Sequence, residues 1–375
     1  MPKICFVEPM TYSVLNPKSS RSPGGEAVQH ALLAREFARQ GWEVSVVCRD
    51  IGQQDGEIID GVRIWKTYHR DAGIPGVRFI YPRLTGLWRA LGKADADVYF
   101  QSCAGLNTGV VAHYARLHGR KMVFRVAHDT DCIPDEVLVK NSRDRWLYEY
   151  GLNRTHLVSV QSDVQATALK DNYNLPSAIV NMVVQPPDES PDTQKDIDVL
   201  WVNNLRAFKR PEIVYDIAKK MPDVRFVMIG SPMKGFEALY EDIRRAAAEL
   251  PNLEYLGPVP YAKVNSYFAR AKLFLNTSDS EGFPNSYLQA WIRGVPVISY
   301  FDPDGLIESQ RIGATVASQD DFCEPIARLL HENEERNEIG GRGRQFAISR
   351  YSPAAIVKEY QGLLESELGF KPVYE

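Results

Sequence analysis

The chain has 375 residues, of which 44% are hydrophobic and 25% are charged, as is ordinary for globular proteins. A single hydrophobic core rarely grows to this length, so the sequence predicts two domains. The formal net charge of −4 gives no reason to expect a nucleic-acid partner, and no apolar run approaches the roughly 20 residues that span a bilayer.

The cysteines are too scattered for a disulfide framework or a structural zinc site. They are odd in number, and no two form a C-x-x-C pair: Cys5, Cys48, Cys103, Cys132 and Cys323. The opening residues, MPKICFVEP, predict a first strand rather than a signal peptide. We therefore expect a cytoplasmic protein in a reducing compartment.

The first half of the chain alternates short apolar runs with amphipathic segments. The predicted strands are KICFV, VSVVC, DVYFQ, KMVFRVA, HLVSVQ and AIVNMVV. The segment EAVQHALLAREFARQ predicts a long helix, because its apolar residues recur at helical spacing: Val28, Leu32, Leu33 and Phe37. Strands that alternate with helices predict a parallel sheet.

A second alternating region follows residues 185–196, QPPDESPDTQKD, which are rich in proline and acids and predict a linker. Its predicted strands are IDVLWVN, VRFVMIG, LEYLG, KLFLNTS and VPVIS. We predict two doubly wound α/β domains, 1–184 and 197–351, and a final helical segment, 352–375, that opens at Ser352 and Pro353. Ligands are then expected at the carboxyl ends of the strands.

Two glycines precede the first long helix. Gly24 and Gly25 permit a close backbone approach, and the helix N-terminus behind them attracts anions. The stretch lacks the G-x-G-x-x-G spacing of dinucleotide-binding folds. An anion-facing loop and a plain turn both remain open.

Residues 63–93 combine basic and aromatic side chains. The stretch holds seven lysines and arginines against a single acid, Asp71, with Trp65, Tyr68, Phe79, Tyr81 and Trp88 among them. Such a mixture suits an anionic membrane surface or a lipid-diphosphate acceptor. The alternative is an ordinary solvated face over a small core.

Cations follow the first strand of the second half, in WVNNLRAFKRPEIV. Arg206 and Lys209 lie in a short loop before a helix that begins near Pro211. Two cations at the carboxyl end of a strand can neutralise a pyrophosphate without metal. A solvated loop without a ligand is the alternative.

A carboxylate and a helix start lie together in SDSEGFPNSYLQAW, residues 278–291. The backbone N–H groups of Phe283, Asn285 and Ser286 could hold phosphate at the helix start, whereas Pro284 has no N–H to donate. Glu281 could accept hydrogen bonds from sugar hydroxyls. The alternative is a strand-to-helix turn with a charge near the helix dipole.

In combination, these motifs resemble the retaining GT-B glycosyltransferases of family 4, also called group 1. That family has an early Gly-Gly, an Arg…Lys pair after the first strand of the second domain, and E-G-F-x(5)-E before G-x-P-V. The corresponding residues are Gly24-Gly25, Arg206…Lys209, Glu281-Gly282-Phe283 and GVPVIS. The likeness extends over essentially the whole chain.

The resemblance implies two Rossmann-like domains facing a cleft, with the last helix returning to the first domain. The second domain would bind a nucleotide-sugar donor, and the first a glycan or lipid-linked acceptor. The sugar would be transferred with retention of configuration, without a metal ion and with no cofactor besides the donor substrate. Arg206 and Lys209 would stabilise the departing diphosphate, while Glu281 would orient the sugar.

The resemblance also assigns His128, in FRVAHDTD, to the outer hydroxyls of the donor sugar. A structural histidine is the alternative. Asp129 and Asp131 form a D-x-D, which binds a metal–nucleotide in the other major glycosyltransferase fold. The phosphate-binding cations lie in the second half of the chain, so we do not assign this pair to a metal.

One position departs from the family pattern. The second glutamate, which binds the nucleotide ribose, is replaced by Gln289. Its amide oxygen can still accept a hydrogen bond from a ribose hydroxyl, but it carries no charge.

We therefore predict transfer from a UDP- or GDP-sugar in bacterial polysaccharide or glycoconjugate biosynthesis, with peripheral contact to the inner face of the membrane through residues 63–93 as an open option. A nucleotide-sugar 2-epimerase shares this architecture, but no acid and base around the sugar's second carbon can be identified. A partner subunit that binds nucleotide-sugar without turning it over is the non-enzymatic alternative, for which Gln289 is the one indication.

Overall fold

The computed structural model describes residues 1–16, 18, 24–184, 187, 193–279, 281 and 283–370. Within them the chain divides into two compact units. The first contains strands β1–β8 with helices α1–α6 and α14, and the second contains β9–β14 with α7–α13. Most of the predicted linker, residues 185, 186 and 188–192, lies outside the described residues.

The first unit is built on a sheet in the strand order β3-β4-β2-β1-β5-β6-β7-β8. Every pairing in it is parallel except that between β3 and β4. The strands are β1 (Lys3–Val7), β2 (Glu43–Asp50), β3 (Ile58–Ile59), β4 (Val62–His69), β5 (Val98–Ser102), β6 (Lys121–Arg125), β7 (Leu157–Val160) and β8 (Ala178–Ile179).

The helices of the first unit cover its sheet. They are α1 (Tyr12–Leu15), α2 (Gly25–Arg39), α3 (Thr85–Ala94), α4 (Leu106–Leu117), α5 (Ser142–Leu152), α6 (Asp163–Tyr173) and the C-terminal α14 (Pro353–Leu368). The core includes Tyr99, Phe124 and Leu152, all fully buried. In α14, the Tyr360 ring packs edge-on against Phe100 with ring centroids 5.3 Å apart, so this helix completes the first unit.

The second unit repeats the design with a parallel sheet in the order β11-β10-β9-β12-β13-β14. Its strands are β9 (Ile197–Val202), β10 (Phe226–Ile229), β11 (Leu253–Tyr255), β12 (Ala271–Asn276), β13 (Val297–Ser299) and β14 (Gly313–Thr315). Its helices are α7 (Glu212–Lys220), α8 (Glu237–Ala248), α9 (Tyr261–Arg270), α10 (Asn285–Trp291), α11 (Leu306–Gln310), α12 (Cys323–His331) and α13 (Asn333–Tyr351).

These two doubly wound sheets confirm the predicted fold class. In each sheet the chain builds one side first and then crosses the starting strand to build the other. The crossing falls between β1 and β5 in the first sheet and between β9 and β12 in the second. Loops diverge at such a switch point and leave a crevice at the carboxyl ends of the two strands.

Two local predictions differ from the structure. The basic and aromatic stretch 63–93 is not one surface, because residues 62–69 form strand β4, paired with β2. Its alternation of Val62, Ile64 and more polar residues is a strand pattern. Of the predicted strand AIVNMVV, only Ala178–Ile179 forms a strand, β8, which lies at the edge of the sheet and pairs with β7.

Candidate functional site

The switch point of the second sheet brings together the two most informative motifs. Strands β9 and β12 are parallel neighbours, and so their carboxyl ends lie side by side. The loop that holds Arg206 and Lys209 follows β9, and Glu281 follows β12. Asp279 N–H donates to the Phe208 carbonyl at 2.9 Å and joins the two loops.

Lys209 and Glu281 form an ion pair at this crevice. Lys209 Nζ donates to Glu281 Oε1, and each side chain is 12% exposed. Ser278 Oγ also donates to Oε1, at 2.7 Å. Among the described residues, every hydrogen bond of the Glu281 carboxylate therefore falls on Oε1, which leaves Oε2 as the acceptor for a ligand.

Burial lowers the pKa of Lys209, the Glu281 carboxylate opposes that shift, and the nearby Arg206 adds to it. Desolvation disfavours the charged amine, whereas the adjacent carboxylate stabilises it. A ligand pyrophosphate would stabilise the charged form further. The site is therefore organised to hold a cation where water is scarce.

Buried polar side chains fix the position of both loops. Thr277 Oγ1 donates to the Lys209 carbonyl at 2.7 Å and accepts from Trp201 Nε1 at 3.0 Å. Ser278 N–H donates to Asn276 Oδ1 at 2.9 Å, and Ser278 Oγ lies 2.7 Å from the same oxygen. The Asn276 amide in turn donates to the Tyr287 hydroxyl at 3.1 Å. Because buried polar groups are costly to leave unpaired, this network holds Glu281 in a defined place.

The loop after β9 contains two arginines with different surroundings. Arg210 pairs with Glu212 at 2.6 Å and with Asp279 at 3.1 Å. Arg206 is half-buried, and no carboxylate of the described residues lies within ion-pair distance of it. Arg206 is therefore the cation whose charge is available to an anionic ligand.

The helix start after Glu281 is built as expected, although Gly282 lies outside the described residues. Pro284 precedes α10, so Asn285 and Ser286 present first-turn N–H groups. The Phe283 ring packs against Tyr351 with ring centroids 5.6 Å apart, so this side chain also has a structural role. Gln289 is half-buried and donates from Nε2 to Asn265 Oδ1 at 3.4 Å, which leaves its amide oxygen to accept.

In the first unit, Gly24 is the N-cap of α2 and Gly25 its first residue. A Cβ at Gly24 would meet no described atom within 4 Å, and its φ of −77° is open to any residue. Nothing in the described fold thus requires glycine there. Behind the glycines, Glu26 pairs with the buried Arg125 at 2.9 Å, which holds the helix end against the end of β6.

His128 lies after β6, as predicted, and caps a short 3₁₀ turn, Asp129–Cys132. Its Nδ1 accepts from Thr130 N–H at 3.3 Å and lies 3.0 Å from Thr130 Oγ1. An accepting Nδ1 leaves the proton of the neutral ring on Nε2, which can donate to an oxygen.

The two aspartates of the D-x-D serve the local fold. Asp131 Oδ2 accepts from Ala127 N–H and His128 N–H, both at 3.2 Å, and burial raises the pKa of this carboxyl to about 6. Asp129 Oδ1 accepts from Gln165 at 2.8 Å. In the part of the chain that the structure describes, no group of three or more histidine, cysteine, aspartate or glutamate side chains could hold a metal ion.

Two models of glycosyltransferase domains match the chain. One, described as "Glycosyl transferases group 1", matches residues 198–332, and the other, a "Glycosyl transferase 4-like domain", matches residues 24–186. The chain belongs to the group 1 glycosyltransferases. Both Gly24-Gly25 and the Arg206–Lys209–Glu281 set of this glycosyltransferase lie within the matched ranges.

A curated relative points the same way. This glycosyltransferase is 27% identical over 307 residues to the O-antigen biosynthesis glycosyltransferase WbnH of Escherichia coli, a match that covers 77% of the chain and 86% of the relative. The prediction of a group 1 family member is confirmed.

Solved structures of the same fold are also known. Anabaena Alr3699/HepE in complex with UDP and glucose superposes with a TM-score of 0.76 at 15% identity, over 98% of this chain and all of that one. Sucrose-phosphate synthase from Thermosynechococcus elongatus gives a TM-score of 0.74 at 16% identity and the same coverage. The predicted GT-B fold of this glycosyltransferase is confirmed.

Sequence reasoning missed several residues of the site. Glu281 is held by a hydrogen-bonded chain of Ser278, Asn276 and Tyr287. Next to the glycines, Glu26 pairs with Arg125. A run of small polar residues directly after an apolar strand, NTS in this chain, is the signal that could have indicated the first group. No local pattern distinguishes Arg206 from Arg210, because their difference lies in partners that are distant in sequence.

Proposed function

We propose that this glycosyltransferase moves a sugar from a nucleotide-diphosphate donor to a glycan or lipid-linked acceptor, with retention of configuration and without a metal ion. The observation that carries the proposal is the set of charged groups at the switch point of the second unit. Three features meet there: an arginine with no carboxylate partner among the described residues, a lysine–glutamate pair and a helix start. Fixed cations and first-turn N–H groups suit a diphosphate, and a carboxylate oxygen suits sugar hydroxyls.

The proposed chemistry is the one that the family resemblance implies. The bond between the sugar's anomeric carbon and the phosphate oxygen breaks, and a bond to the acceptor oxygen forms on the same face. The acceptor proton passes to the leaving phosphate oxygen, so no protein base is needed. Arg206 and Lys209 stabilise the negative charge that grows on the diphosphate, an effect worth about 2.7–4 kcal/mol for a well-placed donor.

The remaining predicted residues have supporting roles. His128 would donate from Nε2 to an outer hydroxyl of the donor sugar. Gly24 and Gly25 would approach an anion through backbone N–H groups. This role would explain the glycine at position 24, which the described fold does not require because a Cβ there would meet no described atom within 4 Å. Phe283, Asn285, Ser286 and Gln289 would place the nucleotide against the start of α10.

The donor and the pathway are inferred from relatives. One solved structure of similar fold holds UDP and glucose, and a sequence relative is an O-antigen biosynthesis glycosyltransferase. We propose a UDP- or GDP-sugar as donor and a bacterial polysaccharide or glycoconjugate as product. Incubation with a panel of UDP-, GDP- and ADP-sugars, followed by mass spectrometry, tests this. Epimerised donor would favour the 2-epimerase, and binding alone would favour a non-catalytic subunit.

We expect chelation to leave transfer unchanged. Asp131 is buried and accepts two backbone N–H hydrogen bonds, and within the described residues no group of three or more histidine, cysteine, aspartate or glutamate side chains could hold a metal ion. Initial rates with the matched donor are measured before and after dialysis against EDTA. Strong inhibition that Mg²⁺ or Mn²⁺ reverses would restore the metal interpretation of the D-x-D.

Gln289 is expected to contact the ribose through its free amide oxygen. Gln289→Glu should keep or tighten binding of the nucleoside diphosphate, because charge-assisted hydrogen bonds are roughly twice as strong as neutral ones. Gln289→Leu should weaken binding by about 1–3 kcal/mol, because the hydroxyls lose their partner in a half-buried site. Titration calorimetry measures both. Equal affinities in the three proteins would mean that Gln289 does not touch the ribose.

A peripheral membrane contact is proposed for the part of residues 63–93 that follows strand β4. Within the described residues, no helix combines the length and the apolarity that crossing a bilayer requires. In this proposal the contact is made from the surface, by side chains that follow His69.

A further inference from the structure

An apolar groove of about 680 Å³ lies between α3, α4 and α5 of the first unit. Its walls are mostly hydrocarbon and aromatic, including Leu84, Trp88, Val110, Trp146, Leu147 and Tyr150. None of the residues assigned to sugar transfer lines it. A groove with so few polar groups would leave the hydroxyls of a bound sugar without partners, which is unfavourable. Its walls suit a hydrocarbon chain instead.

Close helix contacts and stacked rings make the groove a fixed feature. α4 and α5 touch at Gly109, where a Cβ would lie 2.3 Å from the Leu147 carbonyl oxygen. His113 Nδ1 and the Tyr150 hydroxyl are 2.9 Å apart, and Trp146 stacks on Tyr150 with centroids 5.5 Å apart. Despite this packing, Trp146 remains 61% exposed, so one wall of the groove is open to the surroundings.

Exposed apolar side chains cluster at the edge of the groove. Of the twelve large hydrophobic residues that are exposed in the described chain, four fall within residues 74–81: Ile74, Val77, Ile80 and Tyr81. This segment leads directly into α3, and Arg143 at the start of α5 lies 3.5 Å from the centroid of the Phe79 ring. The segment and the groove therefore belong to one surface.

Exposed arginines lie in this segment and close to it in sequence. Arg70, Arg78 and Arg89 are exposed, and no carboxylate of the described residues lies within ion-pair distance of them. From residue 72 to residue 93 the sequence contains no acid. Exposed apolar side chains that alternate along the chain with arginines complement an anionic bilayer, because the charges bind lipid phosphates while the apolar groups enter the acyl region.

We propose that residues 74–81 insert into an anionic bilayer and that the groove between α3, α4 and α5 takes an acyl chain of a phospholipid. The inference specifies the proposed membrane partner and rests on that part of the proposed function, but not on the transfer reaction. The first unit would thereby be held at the surface where lipid-linked acceptors reside.

Sedimentation with vesicles tests the insertion. Wild-type protein should bind vesicles of phosphatidylcholine with about one third phosphatidylglycerol, and bind pure phosphatidylcholine weakly, since basic residues near the surface are attracted to anionic headgroups. Val77→Glu should weaken binding by at least about tenfold. Val164→Glu is the matched control, because Val164 is similarly exposed, at 61% against 56%, but lies on α6. Equal losses in both variants would overturn the proposal.

Fluorescence tests the groove separately. Vesicles with bromine on the acyl chains should quench tryptophan emission, and Trp146→Phe should remove much of that quenching while binding persists. Vesicle binding without quenching would mean adsorption by charge alone and would overturn the acyl-chain site. The absence of vesicle binding, together with binding of another protein at this surface, would overturn it as well. Glu281→Gln should bind vesicles like wild type even where transfer is lost. This variant separates failure of the membrane inference from failure of the proposed reaction.

Discussion

Glu281→Gln is expected to lower kcat by about two to three orders of magnitude while the protein stays folded. The amide keeps an oxygen for the hydrogen bonds from Lys209 and Ser278, so the loops should hold their positions. It removes the charge that Oε2 offers to the sugar hydroxyls, and a lost charge-assisted contact at the transition state has this magnitude. Steady-state transfer with the matched donor measures kcat, and thermal unfolding measures the fold.

Glu281→Ala should abolish transfer and should also lower Tm. The substitution removes the carboxylate partner of Lys209, whose side chain is only 12% exposed, and breaking a buried pair on one side is costly. The comparison separates two roles. If Glu281→Gln keeps wild-type kcat and only Glu281→Ala fails, the carboxylate is a counter-ion for Lys209 and does not orient the sugar.

The same pair predicts a shift in the alkaline limb of the pH profile. Burial already lowers the pKa of Lys209, and the Glu281 charge opposes that effect. Removing the charge in Glu281→Gln should lower the pKa of Lys209 further, so that the ammonium is lost at a lower pH. The residual kcat/KM of the variant should then fall at lower pH than that of wild type. Identical alkaline limbs would mean that Lys209 does not need its charge.

Arg206→Ala is expected to lower kcat by about two to three orders of magnitude, because Arg206 is the cation of this loop that no described carboxylate neutralises. Lys209→Ala should have a similar effect. Arg210→Ala is the matched control, since Arg210 lies in the same loop but is paired with Glu212 and Asp279. We expect its kcat to stay within a few-fold of wild type.

The division of each effect between kcat and KM tests the mechanism. A group that acts on charge developing in the transition state lowers kcat and kcat/KM together, whereas uniform binding raises KM alone. If Arg206→Ala changes only KM, the residue binds diphosphate without stabilising its departure. If Arg210→Ala is as damaging as Arg206→Ala, the assignment of the free cation is wrong.

Much of the fold could be read from local pattern. Apolar runs such as KICFV and IDVLWV become strands β1 and β9, because a strand buried on both faces needs continuous hydrophobic residues. The predicted strands do not include β4, because the mixture of basic and aromatic side chains in residues 63–93 suggested a surface. Residues 62–69 form a strand because they pair with β2, and this pairing depends on residues that are distant in sequence.

The sequence by itself determined the family, the two alternating α/β regions and the motif residues that follow strands. These are local properties, since hydrophobic period and short motifs are visible within a few residues. Only the tertiary structure decided that Lys209 pairs with Glu281, 72 positions away, and that Arg206 rather than Arg210 keeps its charge available. Strand order sets these relations, because β9 and β12 become neighbours across a switch point and so bring Lys209 to Glu281. Burial at that point lowers the pKa of Lys209.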